Sequence, residues 1–278
     1  MSAPNESRSI EQLREQYEIE RELANRLRAA TRDERKGMYT AVYDELYSRV
    51  PHHPGWTRRT DAEEMRRAHD AQHAMLGRYL RPGDTYLEIG AGDCLFAAEV
   101  ARTAGRVYAV DVAREVSKLE SPPDNFELII SDGTSIPVPP GSVDVAFSNQ
   151  LMEHLHPDDA SEQLEHIFAA LRDGGRYVCI TPNRLDGPHD VSSYFSDVAD
   201  GFHLKEWTFT ELDSLFRTVG FSHVDALVHL RGWIVRVPAS LVRVTERYLA
   251  SLPPQRCRAV ATAFPFRRLL GTIVVGTH

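Results

Sequence analysis

The chain is poor in cysteine, with three in 278 residues: Cys94, Cys179 and Cys257, far apart. That spacing excludes a disulfide scaffold and a zinc-finger framework. Cys179 falls in an apolar run and reads as an inert core thiol. No apolar run reaches the length of a membrane span. The first 35 residues are strongly charged, so no secretory signal is expected there and a reduced cytoplasm is the expected compartment. Positive charge is also short. A formal net charge of −8 argues against a broad nucleic-acid footprint, which needs clustered Lys and Arg, and no nucleic-acid partner is expected. No internal repeat is present.

What the chain does have is 42% hydrophobic residues, enough for one large α/β domain with additions. Its most informative stretch is Thr85-Tyr86-Leu87-Glu88-Ile89-Gly90-Ala91-Gly92-Asp93-Cys94, an apolar run followed by two glycines one residue apart. A second run, Val107–Val110, ends in Asp111. A strand, a glycine turn, a helix and a strand ending in an acid make a nucleoside-binding half-fold. The dinucleotide pattern G-x-G-x-x-G fails at Leu95. Glu88 and Asp93 would repel a pyrophosphate at the helix start but suit a cationic ligand. A nucleotide-dependent oxidoreductase is therefore disfavoured. Three more strands follow: Phe126–Ile130 before Ser131-Asp132-Gly133, Val143–Ser148 before Asn149-Gln150, and Arg176–Ile180 before Thr181-Pro182-Asn183.

These motifs, in this order over about residues 80–230, resemble the class I S-adenosylmethionine-dependent methyltransferases. The family's first motif, E/D-x-G-x-G-x-G, is matched by Glu88, Gly90 and Gly92 and departs at Cys94. The resemblance implies a doubly wound α/β fold with a mostly parallel, seven-stranded sheet and an antiparallel last strand. It implies S-adenosylmethionine as cofactor and S-adenosylhomocysteine as product. It puts Asp111 on the ribose, an acid at Asp132 near the adenine amino group, and Asn149-Gln150 beside the methionine end. The cofactor-binding set it implies is Glu88, Gly90, Ala91, Gly92, Asp111, Val112, Asp132, Gly133, Asn149 and Gln150.

Three units follow along the chain: an N-terminal helical cap (1–80), the cofactor-binding core (81–230), and an Arg-rich helical insertion with the final strand (231–278). In the cap, Ile10, Leu13, Tyr17, Ala24 and Leu27 recur at helical spacing. Further helices are expected over Met38–Val50, stopped by Pro51 to Gly55, and over Asp61–Tyr79. The cap serves either as a cover for cofactor and acceptor or as a packing layer or homodimer contact. In the core, His156-Pro157-Asp158-Asp159 starts one helix, and Thr208-Phe209-Thr210-Glu211 is a capping box for another that Gly220 ends. His223–Leu230 is a sixth strand and Thr272–Gly276 the last. Between them Arg231–Arg268 holds eight arginines against one acid, Glu246. Such a segment suits a weak contact with an anionic membrane surface or substrate, or helices packed on the sheet edge with their arginines in water.

The acceptor site should lie at the C-terminal ends of the strands. Two clusters fall there: Asn149 to His154, and the long loop Pro182–Trp207. An oxygen acceptor needs a general base, and His154 is the first candidate, with His189 and His203 after it. Glu153-His154 and Thr181-Pro182-Asn183 look like the ubiquinone-biosynthesis O-methyltransferases and their small-molecule relatives. For some of those the resemblance implies a divalent cation held by two acids and a histidine. Here Gln150 stands where the first acid would be, and a neutral amide binds a hard cation more weakly; metal dependence is not expected. The expected activity is methyl transfer to a hydroxyl or carboxylate of a small-molecule intermediate. The alternatives are a nitrogen or carbon acceptor, or a non-catalytic cofactor-binding subunit.

Overall fold

A computed structural model describes residues 8–53, 62–113, 117, 119–230 and 233–278. The expected stop at Pro54-Gly55, the third helix's start at Asp61, and Arg231 lie outside them.

Two helices open the chain, α1 (Ile10–Ala29) and α2 (Arg32–Arg49), then α3 (Ala62–Leu76). Ser9 and Gln12 form a capping box at α1, and Thr31 and Glu34 one at α2. The second box starts α2 six residues before the expected Met38. Ile10 is 60% exposed, so the buried stripe of α1 begins at Leu13 and continues through Tyr17, Leu23 and Leu27. The stripe also carries buried Gln16 and Glu20.

The core then alternates: β1 (Thr85–Ile89), α4 (Leu95–Val100), β2 (Arg106–Asp111), β3 (Phe126–Ile130), β4 (Val143–Asn149), α5 (Pro157–Ala170), β5 (Leu171–Ile180), α6 (Phe209–Val219) and β6 (His223–Leu230). After β6 come β7 (Trp233–Val237), α7 (Ala239–Ala250), α8 (Pro254–Ala261), α9 (Phe266–Leu270) and β8 (Thr272–Thr277). His156 caps α5 with Pro157 in its first turn, and Thr208 and Glu211 box α6, which ends at Gly220 with φ 128°. These termini stand where the sequence put them.

The sheet order is β3-β2-β1-β4-β5-β8-β6-β7. β1 to β5 pair in parallel, and β8 runs antiparallel between β5 and β6. The order reverses beside β1, which makes the switch point where open α/β sheets bind ligands. β7 is one strand more than the expected seven. It pairs antiparallel with β6 through Ala226–Val237 to Leu230–Trp233, so the insertion opens as a hairpin before turning helical. Alternate strand residues feed two cores, as a two-residue period requires. Leu87, Ile89, Tyr177 and Val274 join the α1, α2, α5 and α6 side, whereas Tyr86, Val178 and Val275 join the α3 and α4 side.

Polar contacts hold the cap to the core. Arg35 makes two hydrogen bonds to Asp159, at 2.6 and 2.7 Å, and Tyr39 donates a third at 2.6 Å. In the Arg-rich insertion, Arg236, Arg243 and Arg258 pair with Asp225, Asp213 and Asp197. Its one acid, Glu246, is buried and accepts the Phe209 and Thr210 amides at the start of α6, at 2.7 and 2.9 Å. A carboxylate there satisfies orphan helix donors and meets the positive end of the dipole. Among the described residues no helix is long and apolar enough to cross a membrane.

Candidate active site

The site begins at the glycine turn. The Gly90 and Ala91 amides donate to the Val110 carbonyl at 2.8 and 3.2 Å. The Gly92 amide donates to Asp111 Oδ2 at 2.8 Å, and Ala113 donates to Oδ1 at 3.2 Å. Gly90, Gly92 and Cys94 have φ of 71°, 53° and 63°. The third motif position thus keeps the left-handed backbone that a glycine adopts easily, with a cysteine in it. A Cβ on Gly90 would stand 3.0 Å from Leu151 Cδ1, so a side chain there would be strained by the positive φ and would need Leu151 to shift.

A cavity of about 640 Å³ opens between this turn, the ends of β1, β2 and β4, the cap helices, and the loop after β5. Gly90, Gly92, Asp111, Val112, Gly133, Asn149 and Gln150 line it, with His154, His189 and His203. Glu88, Ala91 and Asp132, expected on the cofactor, are placed outside this wall. Glu88 points to the other face of β1 with Tyr86, whose hydroxyl donates to it at 3.4 Å. Burial pushes its carboxyl up to about 8, with Asp93 and Asp111 adding to the shift against the Tyr86 hydrogen bond. Asp132 accepts the Thr134 and Ser135 amides at 3.0 and 2.8 Å, and the Ser135 hydroxyl at 2.8 Å. Burial would raise its pKa, but those hydrogen bonds hold it below the usual carboxylate value. It builds the loop that places Gly133. A Cβ on Gly133 would meet Tyr39 Cδ2 at 2.7 Å, so α2 seats directly on this loop.

Sequence reading raised the cap as a cover for the site but named none of its residues. Tyr39 and Tyr43, four residues apart on α2, line the cavity, and so do Gln16 and Glu20 of α1. The only signal was their spacing on one helix face. Glu20 Oε2 accepts the Phe202 amide at 3.2 Å, and Arg28 donates to the His203 carbonyl at 3.1 Å. The cap thereby positions the loop that carries the histidines.

The three histidines differ. His154 Nδ1 meets the Phe202 carbonyl at 3.1 Å, and since a carbonyl only accepts, Nδ1 carries the proton. Nε2 then holds the lone pair. Burial pushes this imidazole down to about 3, and the neighbouring His203 adds to that. His203 Nδ1 meets Glu206 Oε1 at 2.7 Å. Burial works against its charged form, yet the Glu206 hydrogen bond and the nearby Glu153 and Asp190 lift its pKa above the ordinary value. His189 Nε2 lies 3.0 Å from the Asn183 carbonyl and 3.1 Å from Asp186 Oδ1, so that nitrogen is committed within its own loop. Glu153 is buried, accepts the Thr181 hydroxyl at 2.8 Å, and has its pKa raised by burial. Ligand-capable atoms of Glu153, His154 and His203 lie within 4.8 Å of one another. Gln150 is exposed, with φ 56°.

The chain is similar to known proteins. A model for a methyltransferase domain matches residues 87–179. A probable S-adenosylmethionine-dependent methyltransferase of Mycolicibacterium smegmatis is 29% identical over 210 residues, covering 75% of this chain and 73% of that one. Phosphoethanolamine N-methyltransferase 1 of Zea mays is 32% identical over 99 residues, 34% of this chain and 20% of its own length. The chain therefore spans a fifth of the maize enzyme. The fold matches that of the Burkholderia thailandensis 1,6-didemethyltoxoflavin N1-methyltransferase, with TM-score 0.52 and 23% identity over 89% of this chain and 90% of that one. The match runs from inside β1, through the glycine turn and Asp111, into β5, so the chain carries a methyltransferase domain, is similar to S-adenosylmethionine-dependent methyltransferases, and takes S-adenosylmethionine as its methyl donor.

Proposed function

We propose that the chain moves the methyl group to an acidic oxygen, a phenol, enol or carboxylate, of a small molecule held between the glycine turn and the cap. His154 carries this reading: it keeps an Nε2 lone pair and lines the same cavity as Asn149 and Gln150, the residues expected beside the methionine end. The sulfonium already activates the methyl carbon, so the protein has to align the acceptor and exclude water. A base whose pKa sits near 3 is weak, so the acceptor it serves must be acidic itself. Asp111, at the end of β2 on the cavity wall, takes the ribose hydroxyls. Gly90 and Gly92 let the backbone approach the cofactor, and Val112 and Gly133 flank its adenine. Glu88, Ala91 and Asp132 support the turn and the loop from behind. His189 and His203 shape the acceptor loop.

A nitrogen acceptor is the second reading, supported by the maize and Burkholderia relatives, both named as N-methyltransferases. The deciding measurement is S-adenosylhomocysteine release over a panel of phenols, enols, carboxylates and amines. Turnover confined to amines would overturn the oxygen reading.

A further inference from the structure

The arginines of the insertion divide into two groups. Arg236, Arg243 and Arg258 pair with Asp225, Asp213 and Asp197, all outside the insertion. Arg247, Arg267 and Arg268 are exposed, and their side chains make no hydrogen bond or ion pair among the described residues. No acid of the insertion balances them. Its one acid, Glu246, is buried and accepts from the Phe209 and Thr210 amides and from Asn183 Nδ2.

The helix that carries Arg247 has two apolar faces. Val242 and Leu249 of α7 are fully buried. Leu241, Val244 and Tyr248 follow one another at three- and four-residue spacing along another side, and all three are exposed. A single exposed apolar side chain is ordinary, but a stripe of them on a helix that already has a buried face marks a contact surface. The stripe continues onto α9. The rings of Tyr248 and Phe266 lie 6.2 Å apart, and Phe264, just before α9, is 79% exposed. Arg247 borders the stripe on α7, and Arg267 and Arg268 follow Phe266 directly.

We infer that this face of α7 and α9 docks on the surface of an anionic lipid bilayer. Apolar side chains interleaved with unpaired arginines suit a helix lying in the headgroup plane, where the apolar groups enter the acyl boundary and the guanidiniums meet lipid phosphates. A nucleic acid would satisfy the arginines and leave Leu241 and Val244 without an apolar partner. A two-fold contact with a second copy would set arginine against arginine. The whole chain carries −8, so attraction to an anionic bilayer is confined to this face, which fixes how the molecule sits. Through Glu246, α7 also holds Asn183 Nδ2 at 2.8 Å, so the start of the loop after β5 stands one helix diameter, about 10 Å, from the docked face. Docking requires no particular methyl acceptor.

The test is sedimentation of the full chain with vesicles of phosphatidylcholine alone and of phosphatidylcholine mixed with phosphatidylglycerol. Binding to the anionic vesicles is expected to be at least about 10-fold tighter, and to weaken as salt rises. Leu241→Asp with Val244→Asp is expected to weaken it about 10–100-fold, and so is Arg247→Gln with Arg267→Gln and Arg268→Gln. S-adenosylhomocysteine calorimetry checks that these surface variants are folded, and the wild-type comparison of the two vesicles decides even where one is not. Equal binding to both vesicles, no binding to the anionic ones, or undiminished binding by folded variants overturns the proposal. So does a lipid-free dimer in sedimentation velocity that Leu241→Asp with Val244→Asp dissociates, since the face then belongs to a second copy. Donor-product binding without vesicle binding sinks the docking alone and leaves the methyl-transfer reading standing.

Discussion

Asp111 Oδ2 accepts the Gly92 amide at 2.8 Å, so the acid at the end of β2 also closes the glycine turn at the end of β1. Removing it loosens the turn and deletes the group proposed to hold the ribose. Asp111→Ala is expected to weaken S-adenosylhomocysteine binding by about 1–3 kcal/mol, as loss of a charged hydrogen-bonding partner should. Calorimetry measures this directly, and unchanged affinity would take the ribose role away from Asp111.

His154 sits apart from that network, on the acceptor side. His154→Ala is expected to lower turnover about 10²–10⁴-fold while leaving S-adenosylhomocysteine affinity near wild type. Steady-state rates and calorimetry on one sample give the split. Normal rates would remove His154 from the chemistry, and lost donor affinity would make its part structural.

The glycine turn, the strand ends and two helix starts were legible because each depends on local chemistry: Gly90 and Gly92, the Pro157 start, and the box of Thr208 with Glu211. Cys94 shows the limit of matching by residue, since its left-handed backbone retains what the missing glycine would supply. β7 was hidden because Trp233–Val237 is short and leads straight into helical spacing. The meeting of Glu153 with His203 is tertiary. It depends on how Glu20 and Arg28 of the cap hold the loop after β5, and no spacing along the chain encodes that. Nor does spacing show that Asp132 also accepts hydrogen bonds from Thr134 and Ser135 in its own loop.

Glu88 gives a pH prediction. Its folded pKa, about 8, lies above the unfolded carboxyl value near 4.5. The folded state therefore holds this proton more tightly, and stability is favoured below pH 4.5 and lost as pH rises toward 8. Glu88→Gln keeps the shape and removes the titration. Urea unfolding at pH 6 and pH 8.5 is expected to show wild type losing stability relative to Glu88→Gln at the higher pH. A constant difference between the two proteins would mean that Glu88 is ionised in the fold.

Arg35 and Asp159 join α2 to α5 through a pair that is 3% and 1% exposed. A buried pair of this kind contributes little beyond an apolar pair of equal volume, but breaking half of it strands a charge. Asp159→Ala also strips Tyr39 of its acceptor, and Tyr39 is the residue that seats α2 on Gly133. Its expected cost is about 3–5 kcal/mol in urea unfolding. Arg35→Met with Asp159→Leu is expected to cost less than Asp159→Ala alone, because no charge is left behind. If the double variant is the less stable of the two, the pair holds the cap by attraction, and the stranded-charge account of its cost is wrong.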